Sequence, residues 1–366
     1  MTAESGVKVE SLEVAAFTIP TDEPESDGTL AWDSTTMIVA EVRGGGAAGL
    51  GYTYGSKAVA ELIEDQLLEV VQFRDALDTG GAWLAMGAAL RNAGRPGAGF
   101  MAVSAVDVAL WDLKARLLHV PLVELLPSFR HEVPVYGSGG FCSYSDERLG
   151  EQLSGWGEQG IPRVKMKVSR QPGRDPSRLD AARKAIGPEA ELYVDANGAL
   201  SRKEALEWAH RFRGEWDVRW FEEPVSSADV EGLRLVRDRG PGGLDVAAGE
   251  YAFVPADFRN IVDAVDCLQA DVTRCGGITG LLQAGGLAAG HAVDLSGHCA
   301  PQLSAHALCG VPRLRHLEYF HDHVRVESML FDGVLEPEDG ALRPDRTRPG
   351  HGLELKRPDA ERYRVR

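Results

Sequence analysis

The chain is poor in cysteine, short of basic charge and without a long apolar run, and each shortage removes a class of protein. Its five cysteines (Cys142, Cys267, Cys275, Cys299, Cys309) are odd in number and never stand in a CxxC pair. That pattern argues against a zinc knuckle and a disulfide framework, and fits reduced thiols in a cytoplasmic protein. Lys and Arg number 39 against 55 Asp and Glu, a formal charge of -16. Binding to nucleic acid or an anionic membrane draws on clustered Lys and Arg, so neither partner is expected. The longest stretches free of Asp, Glu, Lys and Arg, 275–293 and 295–312, are broken by Gly, Gln, Ser and His. They are too polar to span a bilayer. The opening Met1-Thr2-Ala3-Glu4-Ser5 lacks a basic-then-apolar pattern, so no export leader is expected.

What remains is an ordinary soluble composition, 44% hydrophobic and 26% charged, over 366 residues. That length exceeds one comfortable core and predicts two domains. In residues 1–130 the pattern is mixed. Strand-like runs at 36–42 and 50–54 flank Gly44-Gly45-Gly46, and helical spacing of Val59, Leu62, Ile63, Leu67, Val70 and Val71 follows. A second helix is expected over 102–118, giving a small α+β domain. The polar segment 20–34, with Asp22, Glu23, Glu25, Asp27, Gly28 and Asp33, reads as a mobile loop carrying Trp32 as an apolar lid residue. Gly44 to Gly49 matches GxGxxG, but the next run is strand-like, so a hairpin turn is expected and not a dinucleotide site.

From residue 131 to 330 the rhythm is strand, loop, helix. Strand-like runs stand at 133–136, 163–168, 192–194, 218–221, 244–247, 267–270, 293–296 and 314–318. So many consecutive units favour a (β/α) barrel over an open doubly wound sheet. The polar, Pro-rich tail, 331–366, is expected to pack back on the first domain.

Three acids close successive strand-like runs: Asp195, Glu222 and Glu250, separated by 27 and 28 residues. Neighbouring parallel strands would aim all three carboxylates into one small volume, where they repel unless a cation lies between them. Oxygen-only ligands with positions left for water or substrate suit Mg²⁺. Lys165 and Lys167 flank Met166, so both ammonium groups share one strand face. Each lowers the other's pKa, and a neutral lysine is a usable base. Asp271 ends the sixth barrel strand and His298 the seventh, a pair that fixes the imidazole tautomer. Glu318 ends the eighth.

This order of Lys-x-Lys, Asp, Glu, Glu, Asp, His and Glu resembles the enolase superfamily, mandelate racemase subgroup. The local strings agree: Val164-Lys165-Met166-Lys167, Val194-Asp195-Ala196-Asn197, Phe221-Glu222-Glu223-Pro224, Gly249-Glu250, Gly297-His298 and Leu317-Glu318-Tyr319. The resemblance implies an α+β cap over a modified (β/α)7β barrel, one Mg²⁺ on Asp195, Glu222 and Glu250, and removal of a proton alpha to a carboxylate. Lys167 and His298 would serve opposite faces of the alpha carbon, Lys165 would sit near the carboxylate, and a protonated Glu318 could donate to it. Asn197, Arg274, Trp32 and Tyr54 are candidate substrate contacts, with a salt bridge as the rival role for Arg274. Dehydration of an acid sugar is the leading outcome, racemisation or epimerisation the alternative, and a non-catalytic binding protein the rival from another class. Lactonising cycloisomerases fit less well, because they resemble a form with lysine in place of the His-Asp pair. The expected partners are a small-molecule carboxylate and further copies of the chain.

Overall fold

A computed structural model describes residues 6–366; residues 1–5, where no export leader was expected, lie outside them. Three strands come first, β1 (Ser11–Ser26), β2 (Ala31–Gly44) and β3 (Ala47–Tyr54), in one antiparallel sheet of that order. β2 turns into β3 through Gly45 and Gly46 at φ 57° and 78°, so the glycine motif is a hairpin turn.

β1 is not foreseen by the pattern, and most of the expected loop at 20–34 is strand. That segment is the far end of the β1–β2 hairpin, where Glu25 pairs with Trp32 and Ser26 with Ala31 beyond an irregularity after Pro20. Its polar residues hide it from composition, while pairing with β2 supplies the order. The helical segment that follows contains a π turn at Ile63–Leu67. A long helix, Ala98–Leu117, buries most of its surface against β3 and the barrel.

The barrel strands are β4 (Val133–Gly139), β5 (Arg163–Lys167), β6 (Glu191–Asp195), β7 (Val218–Glu222), β8 (Asp245–Ala248), β9 (Cys267–Ala270), β10 (Asp294–Gly297) and β11 (Leu314–Phe320). They pair in parallel in chain order, and β11 closes on β4. Each falls on one of the eight expected runs, and the closed barrel with its α+β cap is the architecture anticipated. Alternation sends Val164, Met166, Val194 and Phe221 outward to the core beneath the helices. Inward, Tyr136, Tyr193 and Trp220 form an aromatic floor, with Tyr193 and Trp220 stacked at 5.5 Å.

The tail reaches the first sheet: Thr18 N–H donates to the Tyr363 carbonyl at 2.9 Å and Val365 N–H to that of Ala16 at 2.8 Å. Among the described residues no helix is long and apolar enough to cross a membrane, and the five cysteines are free thiols.

Two of the places where cap and barrel meet lie at the ends of barrel strands. Ser104 on the long helix accepts from the Gly276 and Gly277 amides at 2.9 and 3.1 Å, and Thr53 on β3 donates to the Thr273 carbonyl at 2.6 Å. At the other, the β1–β2 hairpin tip lies on the ends of β5 and β6. A Cβ on Gly28 would stand 2.4 Å from the Ala196 carbonyl and 2.9 Å from that of Val168. Gly28→Ala should therefore cost about 1–3 kcal/mol of overpacking. Urea unfolding measures that loss, and proteolysis within 20–34 should quicken; unchanged values for both would mean that the tip is not seated.

Candidate active site

Strand register sets the site. Lys167 lies level with Asp195, and Asp195 with Glu222, across three neighbouring strands. Because Val164 and Met166 face out, Lys165 and Lys167 face in, just above the aromatic floor. Lys165 is fully buried and pairs with Glu222, with Glu318 Oε1 at 2.7 Å and with Asp195 Oδ2 at 3.7 Å. Its ammonium stands 5.3 Å over the Tyr136 ring. Lys167 Nζ donates to Asp195 Oδ2 at 2.5 Å.

The expected low lysine pKa values are corrected by this geometry. Burial opposes the charge on Lys167, but Asp195 outweighs it and holds the ammonium above its ordinary value. Lys165 is raised in the same way, against burial, by Glu222, Glu318 and Asp195. Burial lifts Glu222 to about 7 against the pull of Lys165. Glu318 is a second correction. Burial would raise it, yet Lys165 and His298 hold it well below the carboxylate range. It accepts from Ser138 Oγ at 2.5 Å and from Cys299 Sγ at 3.2 Å, so it stands as an acceptor and not as the protonated donor expected.

On the opposite side, His298 Nδ1 lies 2.7 Å from Asp271 Oδ2. Thr273 pins the other oxygen of Asp271 with its amide at 2.7 Å and its hydroxyl at 2.6 Å. The imidazole is thereby oriented, and Nε2 points inward, 3.0 Å from Glu250 Oε2 and 3.3 Å from Glu318 Oε2. Asn197 sits at φ 45° just beyond β6; its amide donates to Asp195 Oδ1 at 2.8 Å and its buried Oδ1 has no partner.

The other three candidate substrate contacts each have protein partners. Arg274 takes the rival role: its guanidinium lies 3.3 Å from Glu250 Oε1 and 3.5 Å from Asp271 Oδ2, against the Tyr251 ring. Tyr54 donates its hydroxyl to Glu327 at 3.2 Å and stacks on His323 at 3.5 Å. Trp32 donates its indole N–H to Glu25 at 2.7 Å and meets Phe141 edge-on. Two residues here escaped the sequence reading. Cys299 lies 3.5 Å from His298 Nε2, and its place directly after a strand-end histidine is the one available signal. Arg178, only 2% exposed, donates to the carbonyls of Lys167, Gly140 and Phe141 and ties the ends of β4 and β5; nothing in its helix marks it.

The donor set fits a divalent cation. Six carboxyl groups (Asp195, Glu222, Glu223, Glu250, Asp271, Glu318) face three permanent cations (Lys165, Lys167, Arg274) and one imidazole. With all of them charged, two negative charges are left over, the amount one such ion neutralises. Glu223 Oε1 is buried with no hydrogen-bond partner, and Glu222, Glu250 and His298 offer ligand atoms within 4.8 Å of one another. Removing the central ammonium exposes the cost of this cluster. Lys165→Met, measured in chelator, should lose about 3–5 kcal/mol, because three buried carboxylates lose their common partner. Urea unfolding of both proteins in EDTA checks this, and equal midpoints would show that the pairs contribute nothing.

Comparison with known proteins places these features in a family. Residues 14–127 match the mandelate racemase/muconate lactonizing enzyme N-terminal domain, and residues 148–360 the enolase C-terminal domain-like model. A mandelate racemase/muconate lactonizing enzyme-like protein from Rubrobacter xylanophilus is 62% identical over 98% of this chain and all of its own, with TM-score 0.97. The 3,6-anhydro-alpha-L-galactonate cycloisomerase of Streptomyces coelicolor is 32% identical over 92% of this chain and 93% of its own. L-talarate/galactarate dehydratase from Salmonella typhimurium, solved with Mg and L-lyxarohydroxamate, is 29% identical over all of this chain and 95% of its own, with TM-score 0.91. Both domains are matched in order along one chain, and the chain is an enzyme of the enolase superfamily, in its mandelate racemase subgroup.

Proposed function

We propose that this enzyme removes the alpha proton of a hydroxylated carboxylic acid in a Mg²⁺-dependent step and expels the beta hydroxyl, giving a 2-keto-3-deoxy acid. The observation that carries the reading is His298, fixed on Asp271 and facing the carboxylate cluster from β10, while Lys167 faces it from β5. Mg²⁺ held by Asp195, Glu222 and Glu250 would supply the positive charge against which the substrate carboxylate stabilises as its alpha proton leaves.

Lys167, neutral after its ammonium has passed a proton to solvent, takes the alpha proton on one face. The electron pair moves into the alpha–beta bond as the beta C–O bond breaks. His298 gives its Nε2 proton to the departing hydroxyl, which leaves as water, and the enol tautomerises to the keto acid. Asp271 stabilises the imidazolium that carries this proton and, pinned by Thr273, fixes its orientation. Lys165 is a fixed cation beside the carboxylate end, and the free Oδ1 of Asn197 accepts from a substrate hydroxyl. The hydroxylated acid sugars in the name of the 29% relative fit this polar wall. A second reading, cycloisomerisation, is favoured by the name of the 32% relative. It shares the first proton transfer and differs in the group expelled.

A library of aldonic, aldaric and uronic acids incubated in D₂O separates these outcomes. Dehydration gives a keto acid lighter by one water with solvent deuterium at the new CH₂, cycloisomerisation a product of the substrate's own mass, and racemisation deuterated substrate of inverted configuration. EDTA should abolish turnover and Mg²⁺ restore it. His298→Asn should lower keto-acid formation by roughly 10²–10⁴, the usual worth of a positioned proton donor. Turnover intact in His298→Asn, or in excess chelator, would overturn the mechanism.

A further inference from the structure

At the edge of the barrel mouth, three side chains from distant parts of the chain converge between the cap hairpin and the barrel rim. Asp22 and Glu25 lie on the irregular stretch of β1, and His321 opens the helix that follows β11. His321 Nε2 lies 3.0 Å from Asp22 Oδ2, and one ligand atom from each of Asp22, Glu25 and His321 falls within 4.8 Å of the other two. Glu25 is 1% exposed, and its Oε1 has no hydrogen-bond partner. A buried carboxylate oxygen left in this state costs free energy that a cation would recover.

Neither neighbouring arginine donates to Glu25, and the Nε of Arg325 has no partner. Arg325 donates to the Pro20 carbonyl and to Asp322 Oδ1, both at 2.7 Å. Arg148 donates to Glu23 at 3.0 Å and comes no nearer to Asp22 than 3.9 Å. Trp32 satisfies only the other oxygen of Glu25. The side chains of Asp22 and His321 are 36% and 21% exposed, so an ion has a path in from solvent.

We infer that Asp22, Glu25 and His321 form a second metal site, for a borderline divalent transition ion such as Zn²⁺, that clamps the cap hairpin to the barrel rim. One imidazole nitrogen with two carboxylate oxygens is a donor set for Zn²⁺, Co²⁺ or Ni²⁺, with water completing the shell. It differs from the oxygen-only trio at the barrel mouth, where Mg²⁺ is the better match. Binding replaces the Asp22–His321 contact with two metal bonds. The clamp joins two segments otherwise 299 residues apart, beside the Phe141–Phe320 wall that leads to Lys167.

The full chain is tested in saturating Mg²⁺, with Zn²⁺ titrated by calorimetry and bound zinc counted by mass spectrometry. Wild type should take up one more Zn²⁺ than Asp22→Asn or His321→Ala. Affinity at that step should fall by at least about 100-fold, more than the loss of an outer-shell partner costs. Glu23→Gln, a neighbour outside the trio, should keep the wild-type count. Zn²⁺ should slow proteolysis within 20–34 in wild type alone, and Co²⁺ should give visible bands that the His321 variant lacks. Asp22→Asn changes a partly exposed oxygen to nitrogen and decides the matter if His321→Ala folds poorly. Equal zinc counts and equal cobalt spectra in wild type and Asp22→Asn would overturn the site.

Discussion

Lys165 in a ring of carboxylates is the constraint around which the barrel mouth is built. An ammonium with no exposed surface is tolerable only where anions surround it, and Glu222, Glu318 and Asp195 do so from three separate strands. Each of those acids in turn needs its own support. Trp220 donates to Glu222 at 2.9 Å, Ser138 to Glu318, and the Asn197 amide to Asp195. The polar layer is thus fixed from below by the aromatic floor and from the sides by strand register. A shift of one residue in β5 would turn both lysines out among the helices and leave the carboxylates facing one another.

That same cluster explains why cap and barrel work as one unit. The carboxylates face the open end of the barrel, so the site is dry only if something covers it. The seam over it joins the hairpin tip at Gly28, which lies on the ends of β5 and β6, to an apolar core that the barrel shares with Phe17, Ile19, Met37, Tyr52 and Tyr54 of the first sheet. A metal clamp between Asp22, Glu25 and His321 would act on that seam and not on the reaction itself.

The electrostatics separate two kinds of charged residue that look alike in sequence. Arg178 and Arg274 both lie near strand ends. Arg178 bonds main-chain carbonyls and holds the ends of β4 and β5, whereas Arg274 bonds Glu250 and Asp271 and so tunes side chains of the site. Glu318 shows the same dependence on neighbours. Its role as donor or acceptor follows from Lys165 and Ser138, which come from other strands.

The eight strand runs, the three evenly stepped acids, the lysine pair and the Asp–His pair were legible because each is a local pattern. Alternation, strand length and strand-end position need only neighbouring residues to be read, and parallel pairing in chain order then brings the ends together. The order of β1 was not legible, since a polar strand is held by the partner it pairs with and not by its own composition. Nor was the direction of Arg274, Tyr54 or Trp32, because a long side chain takes whichever partner the fold sets within reach. Protonation was hidden for the same reason. Lys167 reads as a depressed lysine beside Lys165, but the register that sets Asp195 level with it reverses the balance. The meeting of Asp22, Glu25 and His321 lies furthest from the sequence, because closure of β11 on β4 and the seating of the cap hairpin decide together which residues touch there.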